Sequence, residues 1–147
     1  MRLWHQYLIK HLPNMQLLGQ HRELCALRGL GFGKKHSVVN YVFLHPYYHL
    51  YLFHMIVIEE MIRRGITVDT KWYNYRYRGK VLEYDYSNFT NKALSGALIY
   101  KEHNNKYLVE CLYNLSKKDV RIKIKKDCYL YNYLLYKNLL NLVEIID

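Results

Sequence analysis

The stretch that decides the fold lies near the start of the chain, where residues 14–29 read NMQLLGQHRELCALRG. At helical spacing one face of this stretch consists of Leu17, Leu18, His21, Leu24 and Cys25. Asn14 is a suitable N-cap, and Gly29 opens a run of glycines that stops the helix. We therefore predict a helix from Met15 to about Arg28.

A polar stripe runs along another face of the same helix, because Gln16, Gln20 and Glu23 recur at i, i+4 and i+7. Glu23 is the only carboxylate among the first 58 residues, which are otherwise rich in bases. A segment that binds a polyanion loses acids because each acid repels phosphate. Glu23 is therefore a candidate for chemistry, and an ordinary helix salt bridge explains it equally well.

Length and charge bound the class of protein. The chain has 147 residues, which suits one domain with its own core. It carries 22 Lys and Arg against 12 Asp and Glu, a formal net charge of +10. This excess indicates nucleic acid or an anionic membrane surface as the partner, and composition alone does not choose between them.

The cysteines and the N-terminus indicate the compartment. The chain has three cysteines, widely spaced and without a CxxC pair, so neither a disulfide framework nor a thiolate zinc site is expected. The first residues reach His11 and Pro13 before any adequate apolar segment, so a secretory signal is not expected. The sequence predicts a cytoplasmic protein.

Residues 38–58 carry no Asp, Glu, Lys or Arg and are long enough to cross a bilayer. Several polar groups within them would lack partners in lipid, so we predict a core helix from about Pro46 to Arg64, ended by Gly65. His45 and His49 are four residues apart, with His54 beyond, but no HExxH motif or matching acid accompanies them. We predict no metal and no membrane span.

Two loops are rich in bases. The first, from Gly29 to Lys35, fits neither the Walker pattern nor GxGxxG, and is either a nucleic-acid backbone contact or a plain connector. The second, from Lys71 to Lys80, interleaves bases with aromatic residues. Such a segment can stack on nucleotide bases or cover the protein core.

The last part of the chain predicts one further clear helix, from about Asn104 to Lys117, with a buried stripe of Tyr107, Leu108, Cys111, Leu112 and Leu115. Residues 121–125 alternate like a strand, and residues 128–146 have no clean period. The tail is a short strand and a final helix, a dimer contact or a poorly ordered extension. We predict an all-α fold of about three main helices, with residues 1–118 as the principal domain and residues 119–147 as a C-terminal extension.

Several short stretches in the first 118 residues share their order and spacing with a known family: Met1-Arg2-Leu3-Trp4-His5, Leu12-Pro13, Gln16-Leu17-Leu18-Gly19-Gln20-His21-Arg22-Glu23, Gly33-Lys34-Lys35-His36, Val39-Asn40-Tyr41-Val42-Phe43, Glu59-Glu60-Met61, Arg63-Arg64-Gly65, Tyr77-Arg78-Gly79-Lys80, Ile99-Tyr100, Glu102-His103-Asn104, Tyr107-Leu108 and Glu110-Cys111-Leu112. The sequence resembles the pyrimidine-dimer DNA glycosylases of the phage endonuclease V type, and most closely a bacterial branch of them. The resemblance implies a DNA repair glycosylase with abasic-site lyase activity.

The resemblance also implies a catalytic pair. In the family the nucleophile is the α-amino group of the mature N-terminal residue, and a glutamate on the first helix is the essential acid. That glutamate matches Glu23. The amine falls on Met1, which we expect to be retained because a bulky residue, Arg2, follows it. The implied chemistry is an imine between amine and sugar, followed by β-elimination.

The remaining expectations concern partners. Candidate residues for binding the DNA backbone and the lesion are Arg2, Gln16, Arg22, Lys34 and Lys35. The expected partner is damaged double-stranded DNA, with no cofactor and a monomeric protein. One alternative is a non-catalytic DNA- or RNA-binding module of the same fold, and another is a membrane-surface protein.

Overall fold

A computed structural model describes residues 2–29, 39–87 and 96–146. Within these residues the chain is mostly helical. The α-helices are α1 (Asn14–Arg28), α2 (Tyr47–Arg63), α3 (Asn105–Lys117) and the shorter α4 (Tyr129–Tyr136). Three main helices therefore lie where the sequence predicts them.

The ends of the first two long helices follow from single residues. Asn14 is not the cap of α1, because Pro13 holds that position and Asn14 is already helical. The Asn14 side chain accepts a hydrogen bond from Arg64 at 2.9 Å instead, so it ties the start of α1 to the end of α2. Gly65 follows α2 with φ +79°, a left-handed conformation that suits glycine, and the predicted stop is confirmed.

The core is built on the pair α1 and α2, which pack against each other. Leu17 and Leu24 of α1 and Phe53 and Val57 of α2 are fully buried between the elements. A 3₁₀ helix, Gln6–His11, packs on α2 and adds two further buried side chains, Leu8 and Ile9. Each such side chain contributes about 1.5–3 kcal/mol through removal of apolar surface from water.

The third helix fits its predicted stripe. The Asn104 side chain caps α3 by accepting a hydrogen bond from the Tyr107 amide at 2.8 Å. Leu108, Cys111, Leu112 and Leu115 of that stripe are fully buried, which confirms them, whereas Tyr107 is only half-buried and packs against the core.

The tail holds the departure from an all-α fold. Strand β1 (Lys123–Lys125) pairs in parallel with β2 (Glu144–Ile146), with Ile124 opposite Ile145. The alternation of exposed lysine and buried isoleucine indicated the first strand, whereas the second has no such pattern. Tail residues join the same hydrophobic cluster as α1 to α3: Ile122, Ile124, Leu130, Leu134, Leu142 and Val143. The division at residue 118 stays a prediction.

The apolar segment after residue 38 forms a short 3₁₀ helix, Asn40–Leu44, and then α2. In the described part of the chain, no helix has the length and apolar character that crossing a membrane requires.

Candidate active site

The N-terminal segment lies along α1 and is held by one side chain of that helix. Gln20 Oε1 accepts a hydrogen bond from the Trp4 amide at 2.7 Å, and Gln20 Nε2 donates to the Arg2 carbonyl at 3.1 Å. Gln20 is 1% exposed, so these groups have no competing water. Residues 2–4 are therefore fixed against the polar stripe of α1.

Glu23 lies one turn further along the same face. Its Oε2 accepts a long hydrogen bond from the Arg2 amide at 3.4 Å and another from Gln20 Nε2 at 3.3 Å. Burial raises the pKa of Glu23 above its ordinary value, although the Arg2 hydrogen bond and the charges of Lys118 and Arg22 act in the opposite direction. The carboxyl group thus holds a proton at a higher pH than a surface glutamate does.

Helix α3 forms the facing wall. The Arg2 guanidinium lies 3.3 Å from the Glu110 carboxylate and 5.8 Å from the centre of the Tyr107 ring. The Tyr107 hydroxyl donates a hydrogen bond to the Leu3 carbonyl. Lys118, just past the end of α3, lies 5.4 Å from the Trp4 ring centre. The site therefore contains both charge signs around a half-buried acid.

The predicted site residues fall into three groups. Arg2 and Glu23 are in contact, and the charge of exposed Arg22 acts on Glu23. Gln16 is half-buried one turn before Gln20 on α1. Met1, Lys34 and Lys35 lie outside the described residues.

A family model for pyrimidine dimer DNA glycosylase matches residues 1–74 of the 147. The chain belongs to the pyrimidine dimer DNA glycosylase family. No curated protein and no solved structure matches the chain. Membership implies DNA glycosylase activity and binding of damaged DNA. The matched half contains Arg2, Gln20 and Glu23, whereas the wall formed by α3 lies beyond it.

Four side chains of this candidate site were not predicted as site residues from the sequence, namely Gln20, Tyr107, Glu110 and Lys118. Gln20 carried a signal, since it lies on the polar stripe with Glu23, but its binding to the backbone of residues 2 and 4 has no sequence signature. The other three are distant in sequence from Glu23, and only the packing of α3 against the N-terminal segment brings them near.

Elsewhere in this family member, His21, Cys25 and His54 place their ligand atoms within 4.8 Å of one another. These residue types can bind zinc, but Arg28 opposes a metal there. The Arg28 guanidinium donates to His54 Nδ1 at 3.0 Å, which leaves the ring proton on Nε2, 2.8 Å from His21 Nδ1. A metal bound to His54 Nε2 would shift the ring proton to Nδ1, where it would face the Arg28 N–H. It would also place a second positive charge beside the Arg28 guanidinium. The group is better described as a hydrogen-bonded core network, whose histidines are neutral because burial lowers the pKa of both His21 and His54.

Arg28 itself is fully buried and binds the aromatic loop that follows α2. Its guanidinium donates to the main-chain carbonyls of Trp72, Asn74 and Tyr77 at 2.9–3.0 Å. The Trp72 ring centre lies 5.0 Å from the same guanidinium. Trp72 and Tyr77 thus pack inward as a cover of the core, while Tyr73 is 38% exposed.

Proposed function

We propose that this protein is a DNA glycosylase with abasic-site lyase activity, which acts on pyrimidine dimers or related lesions through an imine between the Met1 α-amino group and the sugar. The observation that supports it is the hydrogen bond from the Arg2 amide to Glu23. That amide belongs to the peptide bond that joins Met1 to Arg2. An amine on Met1 is therefore one residue of backbone away from the Arg2 amide, which donates to Glu23.

The amine has the right basicity for this role. An α-amino group has a reference pKa of about 7.7–8.0, well below that of lysine, so a useful fraction is unprotonated near neutral pH. No buried lysine is required to supply a nucleophile.

The reaction then proceeds by bonds made and broken at one sugar. The amine nitrogen bonds to C1′ as the glycosidic bond breaks, and the base leaves with the electron pair and takes up a proton from water. The sugar ring opens to give a protonated imine, with one of the two amine protons passing to the ring oxygen and the other staying on nitrogen. Loss of a proton from C2′ then expels the 3′ phosphate in a β-elimination and breaks the strand. Water finally hydrolyses the imine and releases the enzyme.

The ionised Glu23 side chain acts in two of these steps. Its negative charge stabilises the cationic imine, and its oxygen accepts the proton from C2′. The raised pKa makes the carboxylate a stronger base than an exposed glutamate.

Binding of DNA is assigned to one glutamine and four basic side chains within the first 35 residues. Arg2, Gln16, Arg22, Lys34 and Lys35 bind backbone and lesion, and phosphate contacts supply most of the affinity. Reaching C1′ requires a kinked duplex with an expelled nucleotide, which costs least at a damaged and poorly stacked site. Lesion geometry therefore contributes to selectivity.

The test is borohydride trapping on a duplex with one abasic site. The untagged protein should form one covalent adduct, because borohydride reduces the imine to a stable amine. A protein with an N-terminal tag, whose α-amine lies far from Glu23, should form none. An adduct of equal yield in the tagged protein would assign the nucleophile to a lysine, and absence of any adduct would favour a DNA-binding module without catalysis.

A further inference from the structure

We infer that Gln20 is a positioning residue for the lyase reaction, holding the N-terminal segment and the acid in one fixed geometry through a single side-chain amide. The inference rests on the proposed function, because it concerns how the amine and Glu23 meet. Nothing in the family match assigns a role to this position.

The contacts of Gln20 use both ends of the amide. Its oxygen accepts from the Trp4 amide, and its nitrogen donates to the Arg2 carbonyl and to Glu23 Oε2. The amide nitrogen has two hydrogens, one for each acceptor. One side chain thus joins two points of the N-terminal segment to the acid.

The direction of the amide is fixed by its partners. With oxygen and nitrogen exchanged, the nitrogen would face the Trp4 N–H, and the oxygen would face both the Arg2 carbonyl and the Glu23 carboxylate. All three contacts would become repulsive, so only the orientation described satisfies the buried groups. No side chain other than asparagine or glutamine offers a neutral donor and acceptor in this form.

Two consequences follow for the chemistry. Residues 2 and 4 are bound on either side of Leu3, so the backbone of residues 2–4 is held at two points beside Glu23. The hydrogen bond to Glu23 favours the ionised carboxylate and fixes the oxygen that receives it. Both effects act on amine and acid without Gln20 touching the DNA.

Two variants separate positioning from a purely structural role. Gln20→Met keeps the length of the side chain and removes every hydrogen bond. Gln20→Glu keeps the shape and the acceptor for Trp4, but places a second negative charge beside Glu23. Gln6→Met is the matched control, since Gln6 also bridges backbone groups, those of Ala97 and Ile99, away from Glu23.

The experiment measures single-turnover cleavage and borohydride trapping on an abasic duplex at saturating enzyme, across pH, with thermal stability measured for each variant. Gln20→Met should react about 10- to 100-fold more slowly at unchanged DNA affinity, as expected for a misplaced reacting group. In Gln20→Glu the acid limb of the pH–rate profile should move upward by about one pH unit, because a like charge raises the pKa of the acid. Gln6→Met should leave rate and profile unchanged.

Each result is decisive. If the wild type forms an adduct and Gln20→Met reacts as fast, the inference is overturned while the proposed function stands. If Gln20→Met does not fold, Gln20→Glu decides, and an unmoved acid limb overturns the inference. A loss in Gln6→Met equal to that in Gln20→Met would also overturn it, because the effect would then be one of stability. If the wild type forms no adduct, the proposed function fails and the inference falls with it.

Discussion

Arg2 and Glu110 form an ion pair, with 3.3 Å between Arg2 Nη1 and Glu110 Oε1, across 108 positions of sequence. The pair joins the second residue of the chain to α3. Because the Glu110 side chain is 53% exposed, the pair is weak and open to exchange with another anion. A DNA phosphate is such an anion, so the proposed contact of Arg2 with DNA predicts that Glu110 competes with phosphate for Arg2.

Removal of this competitor should strengthen DNA binding. Glu110→Gln frees Arg2 and removes a negative charge near phosphate, so affinity for abasic duplex should rise about two- to fivefold at low salt, in keeping with an exposed ion pair worth at most about 1 kcal/mol. Glu59→Gln, which removes an exposed charge from α2, is the control. Fluorescence anisotropy measures the DNA affinity of both variants. An equal gain in affinity would mean that only the net charge of the protein matters, and not the release of Arg2.

Glu23→Gln should separate binding from cleavage. It removes a negative charge without removing a phosphate contact, so duplex affinity should be kept or rise slightly. Strand cleavage should fall about 100-fold or more, as expected for loss of a general acid–base group. In the wild type, cleavage should fall with decreasing pH because both the amine and Glu23 must be unprotonated. The fall should be less steep in Glu23→Gln, where only the amine titrates. Wild-type rates in Glu23→Gln would remove Glu23 from the mechanism.

The glycine-lysine loop should bind phosphate without reading bases. Lys34→Ala or Lys35→Ala should weaken binding to all duplexes alike, and should flatten the plot of log affinity against log salt by about one unit for each phosphate that the variant no longer binds. Binding titrations at several salt concentrations measure the slope. An unchanged slope would mean that the loop faces away from DNA.

Stability should fall in mild acid because of buried histidines. Burial lowers the pKa of His5 to about 4 and that of His103 to about 3. At pH values between these and the unfolded pKa of about 6.5, the unfolded chain binds more protons than the folded chain. The contribution of the two histidines to the free energy of unfolding is therefore complete above about pH 6.5 and decreases as the pH falls below it. Each histidine contributes a slope of up to about 1.4 kcal/mol per pH unit.

Urea unfolding at several pH values measures this dependence. His103→Asn provides the comparison, since the Asn oxygen can still accept from the Gln6 amide as His103 Nδ1 does at 3.0 Å. The variant should lose part of the slope between about pH 6.5 and pH 5. A wild-type stability that is constant over that range would contradict the prediction.

Arg28 should be the most costly arginine of α1 to replace. Lysine cannot reach the three loop carbonyls, Tyr47 and His54 together, so Arg28→Lys leaves buried acceptors unpaired and should cost about 3 kcal/mol or more. Arg22→Lys, at an exposed position of the same helix, should change stability by less than about 0.5 kcal/mol. Equal costs, measured by urea unfolding, would mean that the loop does not depend on Arg28.

Local patterns predicted the helices well and their connections less well. The stripe of Leu108, Cys111, Leu112 and Leu115 and the stop at Gly65 depend on neighbours in sequence, and both are present. Asn14 is not the cap because Pro13 occupies that position, and the Asn14 side chain binds Arg64 at the far end of α2 instead. Strand β2 escaped prediction because its three residues acquire a strand only through pairing with β1.

The same limit applies to the candidate site. Charge alone singled out Glu23, since it is the lone acid of a basic segment. Arg28 was predicted only as the last residue of a helix, and its burial depends on loop carbonyls more than forty positions away. Glu110 and Tyr107 reach the N-terminal segment through the packing of α3, which no spacing in the sequence records.

Arg28 has a consequence for how this protein can change over time. Its guanidinium binds the peptide oxygens of the aromatic loop, and every amino acid supplies a peptide oxygen. The backbone path of the loop therefore does not depend on which side chains lie on its outer surface. Tyr73 can be exchanged by drift or by directed evolution while the loop keeps its course, so new surface chemistry can be sampled there without the scaffold being rebuilt.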